Sequence, residues 1–429
     1  MLDFIFYSLK KHNIVWFKVP FSKHINISAL RLCYIQLKKI HYASAPILPK
    51  LNSTVFVIGT NNNERVLKPI YDQLDVKLYS IIDLRRFNYY FYWNRIHFIS
   101  CIFSLSFILQ YFFSSKKDRL VYADHFNEIF FTFGNLEAAK RIYKSSKINT
   151  IVLSNDHSSP YRSLLKYSSS YNVDTIYLQH CSIGYHFPEL HFTYSFLDGL
   201  ETFEKYKRIG EISGVIFLIG NPRFDIISNY KNKKVKSGYI GIASNLLDDE
   251  QSIIRTCKYL IDNGYNRIYL RPHPNQELKK LSWFVENNIL ISNSKIENPF
   301  DYLSKIDILI SGESGIHLDA SLMGVMSICY MFDGKEPADW YAYIKNGLIK
   351  YIDTLENLKN ELDIFENYTP NQELLKYYCS SVGTTWDGKI ANLIKDFILY
   401  KNSCNINNFI SKYNFKLIES TSTYSLYSI

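Results

Sequence analysis

No Cys-x-x-Cys pair occurs in the 429 residues. The seven cysteines, Cys33, Cys101, Cys181, Cys257, Cys329, Cys379 and Cys404, are scattered and odd in number. This argues against a disulfide framework or a structural zinc site and points to a reducing compartment. No cluster has metal-ligand spacing, and the DxD-like Asp248-Asp249 has no strand before it, so no metal is expected. Glycine and proline are modest, at 17 and 12, which sets the chain apart from low-complexity sequences, and no internal repeat is visible. Zinc-finger spacing, RNP-like motifs and long basic runs are missing, so no nucleic-acid partner is expected. The first residues, MLDFIFYSLKKHN, place their apolar stretch before the basic residues and lack a small-residue cleavage site, a poor signal peptide. The expected location is the cytoplasm.

Long apolar runs are scarce as well. One stands out, residues 96–113 (IHFISCIFSLSFILQYFF), with Arg85, Arg86 and Arg95 before it and Lys116, Lys117 and Arg119 after. Eighteen residues is the lower limit for crossing a bilayer. His97, Ser100, Ser104, Ser106 and Gln110 interrupt the run, and basic flanks at both ends give no orientation. Three readings remain open: a spanning helix, a buried core helix, or a helix docked on a membrane surface.

What is present is a folded α/β chain. Hydrophobic residues make up 47% and charged residues 21%, and the length exceeds what a single core usually organises, so two domains are expected. The net charge of +9 suits anionic partners such as nucleotides, phosphorylated lipids or an anionic membrane surface. Short apolar, β-branched runs recur at Thr54–Ile58, Thr150–Leu153, Thr175–Leu178, Val215–Ile219, Tyr239–Ala243, Arg267–Leu270, Asn288–Ile291, Asp307–Ile310 and Met326–Tyr330. Most are separated by helix-length segments, the pattern of parallel sheets covered on both faces. The polar, lysine-rich Asp225–Ser237 reads as a linker. The domains are therefore expected at 1–228 and 229–385, with a helical tail, 386–429, packing back on the first.

Ligands of such sheets gather past the carboxyl ends of strands. Five polar tips lie there: Ser154-Asn155-Asp156-His157, Gln179-His180-Cys181-Ser182, Gly220-Asn221-Pro222-Arg223, Arg271-Pro272-His273-Pro274 and Ser311-Gly312-Glu313-Ser314-Gly315. In the fourth, the two prolines restrain the backbone around His273, which can donate to a phosphate oxygen or protonate a leaving group. Arg271 adds a fixed positive charge. In the fifth, small residues before a helix let amides and hydroxyls approach an anion, without Walker spacing. Between them, Glu297 in Ile296–Asp301 can accept hydrogen bonds from a ribose diol or stand as a solvated helix charge. Each tip also has an ordinary reading as a turn or cap.

HP at a strand end, an acidic residue before a Pro-Phe-Asp helix start, then a strand and a small Ser/Gly turn resemble the C-terminal half of bacterial CMP-sugar glycosyltransferases, the sialyl-, polysialyl- and Kdo-transferase groups. The turn here is SGESG in place of a Ser-Ser pair, and QHC stands where QHG is usual. The resemblance, which covers Thr54–Phe332, implies a GT-B fold: two Rossmann-like domains with parallel sheets facing a central cleft. It also implies a metal-independent glycosyltransferase with no cofactor, in which a CMP-linked nonulosonate is the donor substrate. Nucleotide contacts then fall on Arg271, His273, Pro274, Glu297, Ser311, Gly312, Glu313, Ser314 and Gly315. The partner is a glycan or lipid-linked glycan acceptor of capsule or O-antigen type, met by Asn155, His157 and Gln179. Asp156 is the expected catalytic base and His180 the alternative. The same half resembles CDP-glycerol and CDP-ribitol phosphotransferases, which share an [RK]PHP segment, and GNPRFD resembles UDP-sugar epimerases.

Overall fold

The computed structural model of the chain describes residues 47–86, 89–113, 115, 126–184, 187–231, 237–246, 248–364, 368–403 and 406–429. The amino-terminal segment read above for targeting lies outside these residues.

Nine apolar runs become strands with bounds shifted by at most a few residues. Thr54–Ile58 (β1) and Thr150–Leu153 (β3) are buried at every position, as continuous apolar strands of a doubly covered parallel sheet must be. They are joined by Tyr79–Asp83 (β2), Asp174–Leu178 (β4), Leu190–Leu197 (β5) and Ile212–Leu218 (β6). The second set is Ile240–Ala243 (β7), Ile268–Arg271 (β8), Leu290–Ile291 (β9), Ile308–Ser311 (β10), Met326–Tyr330 (β11) and Lys350–Ile352 (β12). A final hairpin, Lys416–Ser420 (β13) and Tyr424–Ser428 (β14), closes the list.

Two sheets result. Among the described residues, one has eight strands in the order β13-β14-β6-β5-β4-β3-β1-β2, and the other six in the order β12-β11-β10-β7-β8-β9. Every pairing is parallel except β13 with β14. Each sheet carries an apolar cluster on both faces. Val55, Tyr177 and Ile216 belong to one side of the first sheet, and Phe56, Ile176 and Phe217 to the other.

Sheet membership changes between β6 and β7. The stretch read as a linker opens with a 3-10 helix, Pro222–Ile227, and a four-residue helix, Ser228–Lys231. Part of that stretch, 232–236, is outside the described residues. After β12 the chain returns across the first sheet through the Ile390–Ser403 helix, whose Ile394 and Phe397 pack under β1, β4, β5 and β6. The carboxyl tail was expected to be helical; it also contains the β13–β14 hairpin, and β14 pairs in parallel with β6 from Tyr424↔Gly214 to Ser428↔Leu218. The short strands KLIES and YSLYS carry few apolar residues, because β13 is an edge and mostly exposed.

The apolar run at 96–113 lies in one helix, Trp93–Phe113. No helix among the described residues is long and apolar enough to cross a membrane. This helix packs on Phe126–Ser145 through a close backbone contact. A Cβ on Gly134 would stand 2.2 Å from the Ile96 carbonyl oxygen, and the Gly134 N–H donates to Ser100 Oγ at 3.1 Å.

Candidate functional site

The first four expected tips sit where parallel topology puts them, at the carboxyl ends of β3, β4, β6 and β8. After β3, Asn155 Oδ1 accepts from the N–H groups of His157 and Ser158 at 3.0 and 3.2 Å. This Asx turn swings the chain off the strand into the Ser159–Ser168 helix. Asp156 is thereby turned inward and fully buried, while the His157 side chain remains 46% exposed. His157 Nδ1 lies 3.2 Å from Asp156 Oδ1, and Tyr206 donates its hydroxyl to Asp156 Oδ2 at 3.4 Å. A carboxylate on Nδ1 leaves the Nε2 of His157 as a base. The ring stacks on His180 at 5.9 Å and meets Phe187 edge-on at 5.2 Å.

The β4 tip is more enclosed. Gln179 is fully engaged inside the fold: its oxygen accepts from the Asp198 N–H at 2.8 Å, and its NH2 donates to Cys181 O and Thr202 Oγ1 at 3.0 and 3.1 Å. His180 is buried, which pushes its imidazole down to about 4. It is therefore neutral, with Nε2 3.4 Å from Cys181 Sγ and Nδ1 without a hydrogen-bond partner.

Asp198, which no motif marked, follows β5. It is 1% exposed, accepts from Asn221 Nδ2 at 2.8 Å on Oδ1, and has no partner on Oδ2. Burial pushes its carboxyl up to about 7. Ser154 Oγ and Arg223 Nε are likewise buried without partners. Buried polar atoms are nearly always hydrogen-bonded, so orphans on four neighbouring strand ends need a reason. A polar ligand entering between the sheets supplies one.

In the second sheet, Arg271 ends β8. Its guanidinium donates to Ser292 Oγ at 2.8 Å and to the Glu297 carbonyl at 2.9 Å, with the Glu297 carboxylate 3.8 Å away. Glu297 accepts from Tyr269 at 2.9 Å, from Lys305 at 2.5 Å and from Ser292. Burial alone would raise its carboxyl, but these hydrogen bonds outweigh that and hold it below the ordinary glutamate range. The ionised Glu297 thus fixes Arg271 and Lys305 in place. His273 is partly exposed in the turn after β8. Its Nδ1 accepts from the Asn275 N–H at 3.2 Å, which puts the ring proton on Nε2 as a donor.

The SGESG turn splits in two. Ser311 donates to the Ala243 carbonyl at 2.8 Å, and Glu313 accepts from the backbone N–H groups of Ala338 and Trp340, tying down the following loop. Gly312 lies beside Asn245, whose amide donates to the Glu313 carbonyl at 3.1 Å, and Ser314 Oγ accepts from the Ile316 N–H at 3.4 Å. The helix after them, Ile316–Leu322, holds His317 and Asp319 on its buried side. Burial drives His317 down to about 4, and its two nitrogens bridge Ser327 Oγ and the Gly312 carbonyl at 2.7 and 2.8 Å. This braces the turn from beneath.

The two halves meet along a seam. Arg223 of the first half lies 2.9 Å from Asp319 of the second, close but off the hydrogen-bond axis. Ser182 and Tyr343 share a 2.5 Å hydrogen bond, and the Ser380 N–H donates to the Asp198 carbonyl at 2.8 Å. Arg65, exposed on the Asn61–Tyr71 helix, acts electrostatically on Asp319 and on Arg271. The seam therefore gathers Asp156, His157, His180, Asp198 and Arg223 from one sheet and Asp319 from the other. A separate cavity of about 510 Å³, lined by Phe224, Tyr230, Met323, Leu375 and Val382, includes none of these side chains. Asp198, Asp319 and Tyr343 escaped the sequence reading. The first follows an alternating strand, the second lies inside a helix, and the third sits in a segment without a motif.

No protein-family model matches the sequence, and no curated protein is similar to it. Solved structures are. A putative UDP-N-acetylglucosamine 2-epimerase from Listeria monocytogenes superposes with a TM-score of 0.51 at 12% identity, covering 82% of this chain and 97% of its own. The UDP-GlcNAc 2-epimerase of Methanocaldococcus jannaschii, in complex with UDP-GlcNAc and UDP, gives 0.50 at 16% identity, covering 82% and 100%. An S. aureus MnaA–UDP co-structure gives 0.50 at 12%, covering 83% and 98%. At these identities the likeness concerns architecture alone. The chain has the GT-B arrangement of two parallel α/β sheets.

Proposed function

We propose that the protein transfers a sugar from a nucleotide-activated donor to a hydroxyl of a glycan acceptor, with His157 as the base. The observation that carries this reading is the His157–Asp156 pair at the seam: a half-exposed imidazole whose Nδ1 is 3.2 Å from a buried carboxylate. Asp156, the base expected from sequence, is too enclosed to meet an acceptor itself and acts here by orienting His157. The acceptor oxygen bonds to the anomeric carbon of the donor as the bond from that carbon to the nucleotide phosphate oxygen breaks. The acceptor proton moves to His157 Nε2, and the electron pair leaves with the phosphate. In this reading the Nε2–H of His273 and the hydroxyl of Ser314 receive that charge, with Arg271 adding a fixed positive charge.

The HP and SGESG motifs favour a CMP-linked nonulosonate as donor and a surface glycan as acceptor, in a reaction that needs no metal. A second reading, transfer of a phosphoryl-polyol from a CDP-linked donor, is favoured by the Arg271-Pro272-His273-Pro274 segment. Thermal-shift titration with CMP, CDP and UDP separates them, because a ligand at 100 times its Kd stabilises by about 2.7 kcal/mol. CMP should raise the melting temperature most. A response to CDP with no response to CMP moves the donor to the second reading, and a response to UDP alone rejects both.

A further inference from the structure

The Ser159–Ser168 helix begins with a charge of the disfavoured sign. Its first turn has Pro160 and no acidic residue, and it ends on Arg162. The amino end of a helix carries a partial positive charge, so anions are favoured there and a cation is not. Ser158 at the cap makes no side-chain hydrogen bond to offset this. Burial pulls the Arg162 guanidinium down, and the charges of Asp156 and Glu189 work against that loss. A residue that breaks a local rule and is compensated by particular neighbours marks a position kept for something other than the helix itself.

What Arg162 reaches is Asp156. Its Nη1 donates to the Asp156 carbonyl at 3.2 Å. The carboxylate of the same residue has His157 Nδ1 on Oδ1 at 3.2 Å and the Tyr206 hydroxyl on Oδ2 at 3.4 Å, with the Tyr177 hydroxyl 3.3 Å behind that of Tyr206. Asp156 is thus gripped through its backbone by Arg162 and through its side chain by Tyr206 and His157. The helix that carries Arg162 is itself fixed. The Arg162 N–H donates to the Ser158 carbonyl at 3.1 Å, Thr132 and Asn135 both bond Ser159 Oγ at 2.9 Å, and Tyr143 donates to the Leu164 carbonyl at 3.0 Å. A side chain on so rigid a backbone holds its partner more precisely than one on a loop. The other charges near the pair are committed elsewhere: His180 is neutral, and Arg223 lies 2.9 Å from Asp319.

We propose that Arg162 is a positioning residue for His157, acting through Asp156. It anchors the Asp156 backbone and opposes the carboxylate's negative charge inside the fold, so the carboxylate stays against His157 Nδ1. The ring proton is then held on Nδ1 and the lone pair is left on Nε2. Without Arg162, Asp156 loses an anchor and a countercharge together. The imidazole is then free to carry its proton on Nε2, the tautomer that cannot take a proton from an acceptor hydroxyl. The role in transfer rests on the reading of His157 as the base, whereas the placement of its ring proton does not.

The test compares R162M, which lacks both charge and donor, with R162K, which keeps both. Nitrogen-15 NMR of histidine-labelled full chain reads the tautomer of His157 directly, its signal assigned by its loss in H157N. Wild type and R162K should show the proton on Nδ1, and R162M should move toward the Nε2–H form. Turnover of R162M should fall about ten- to a hundredfold, the usual cost of removing the partner behind a working histidine. Its KM values should stay within about twofold, because Arg162 touches no substrate, and R162K should restore most of the rate. Should R162M unfold, the uncharged R162Q is read in its place with the same expectation. A wild type with the proton on Nε2 overturns the proposal, and so does an R162M protein with the wild-type tautomer. A loss of turnover that R162K does not restore, or that lies in KM alone, overturns it equally. A shifted tautomer in R162M beside an H157N variant as active as wild type supports the placement and removes His157 as the base, so the two readings fail separately.

Discussion

At the residue scale, the consequence of Asp156 facing inward and His157 outward is a division of labour that kinetics can resolve. The variant H157N should retain its fold and lose turnover by roughly 10² to 10⁴, the range for a positioned general base. D156N should reduce turnover as well, because the imidazole loses the carboxylate that sets its tautomer. The double variant should be little worse than either single one, as expected of residues acting as a unit; additive losses in a kinetic cycle would contradict the pairing. Asp198 makes a prediction about pH. Its carboxyl titrates near 7 in the folded protein against about 3.9 unfolded. The folded state therefore binds the extra proton, and stability falls as pH rises from about 4 to 7 before levelling. D198N removes that term, so its urea midpoint, relative to wild type, should improve between about pH 5 and about pH 8. An unchanged difference across that range would show Asp198 to be ionised throughout. Of these residues, the sequence displayed Asp156 and His157, since both follow a continuous apolar strand. It hid which one is buried, because a single Asx turn at Asn155 decides that.

For the elements, continuous apolar strands were legible and the rest less so. β1, β3 and β11 match their sequence runs residue for residue. β5, LHFTYSFL, alternates polar with apolar residues and was overlooked together with the Asp198 that follows it. The Arg223–Asp319 pair was invisible because it joins residues 96 positions apart through the packing of two sheets. Breaking it by R223A or D319N should destabilise by about 3–5 kcal/mol, since each leaves a buried charge alone. The combined change R223M with D319L should restore most of that stability, measured by denaturation. At the helix pair, G134A forces a methyl against the Ile96 carbonyl. A loss of about 1–3 kcal/mol from overpacking is expected, and a variant as stable as wild type would mean that the helices do not touch there.

Over the whole molecule, the proposed metal-free transfer predicts that turnover survives EDTA; loss restored by Mg²⁺ or Mn²⁺ would contradict this. The two sheets are also not independent stretches of chain. β14 completes the first sheet only after the chain has passed through all six strands of the second. During synthesis, β6 therefore waits with an open edge, its amides and carbonyls unpaired on that side, while about 200 further residues are made at 5–20 per second. That is an interval on the order of ten seconds or more in which a six-stranded, aromatic-rich intermediate can pair with another copy. A chain stopped before Lys416 should keep the second sheet intact yet aggregate, and a chaperone that shields strand edges should be needed mainly during this window.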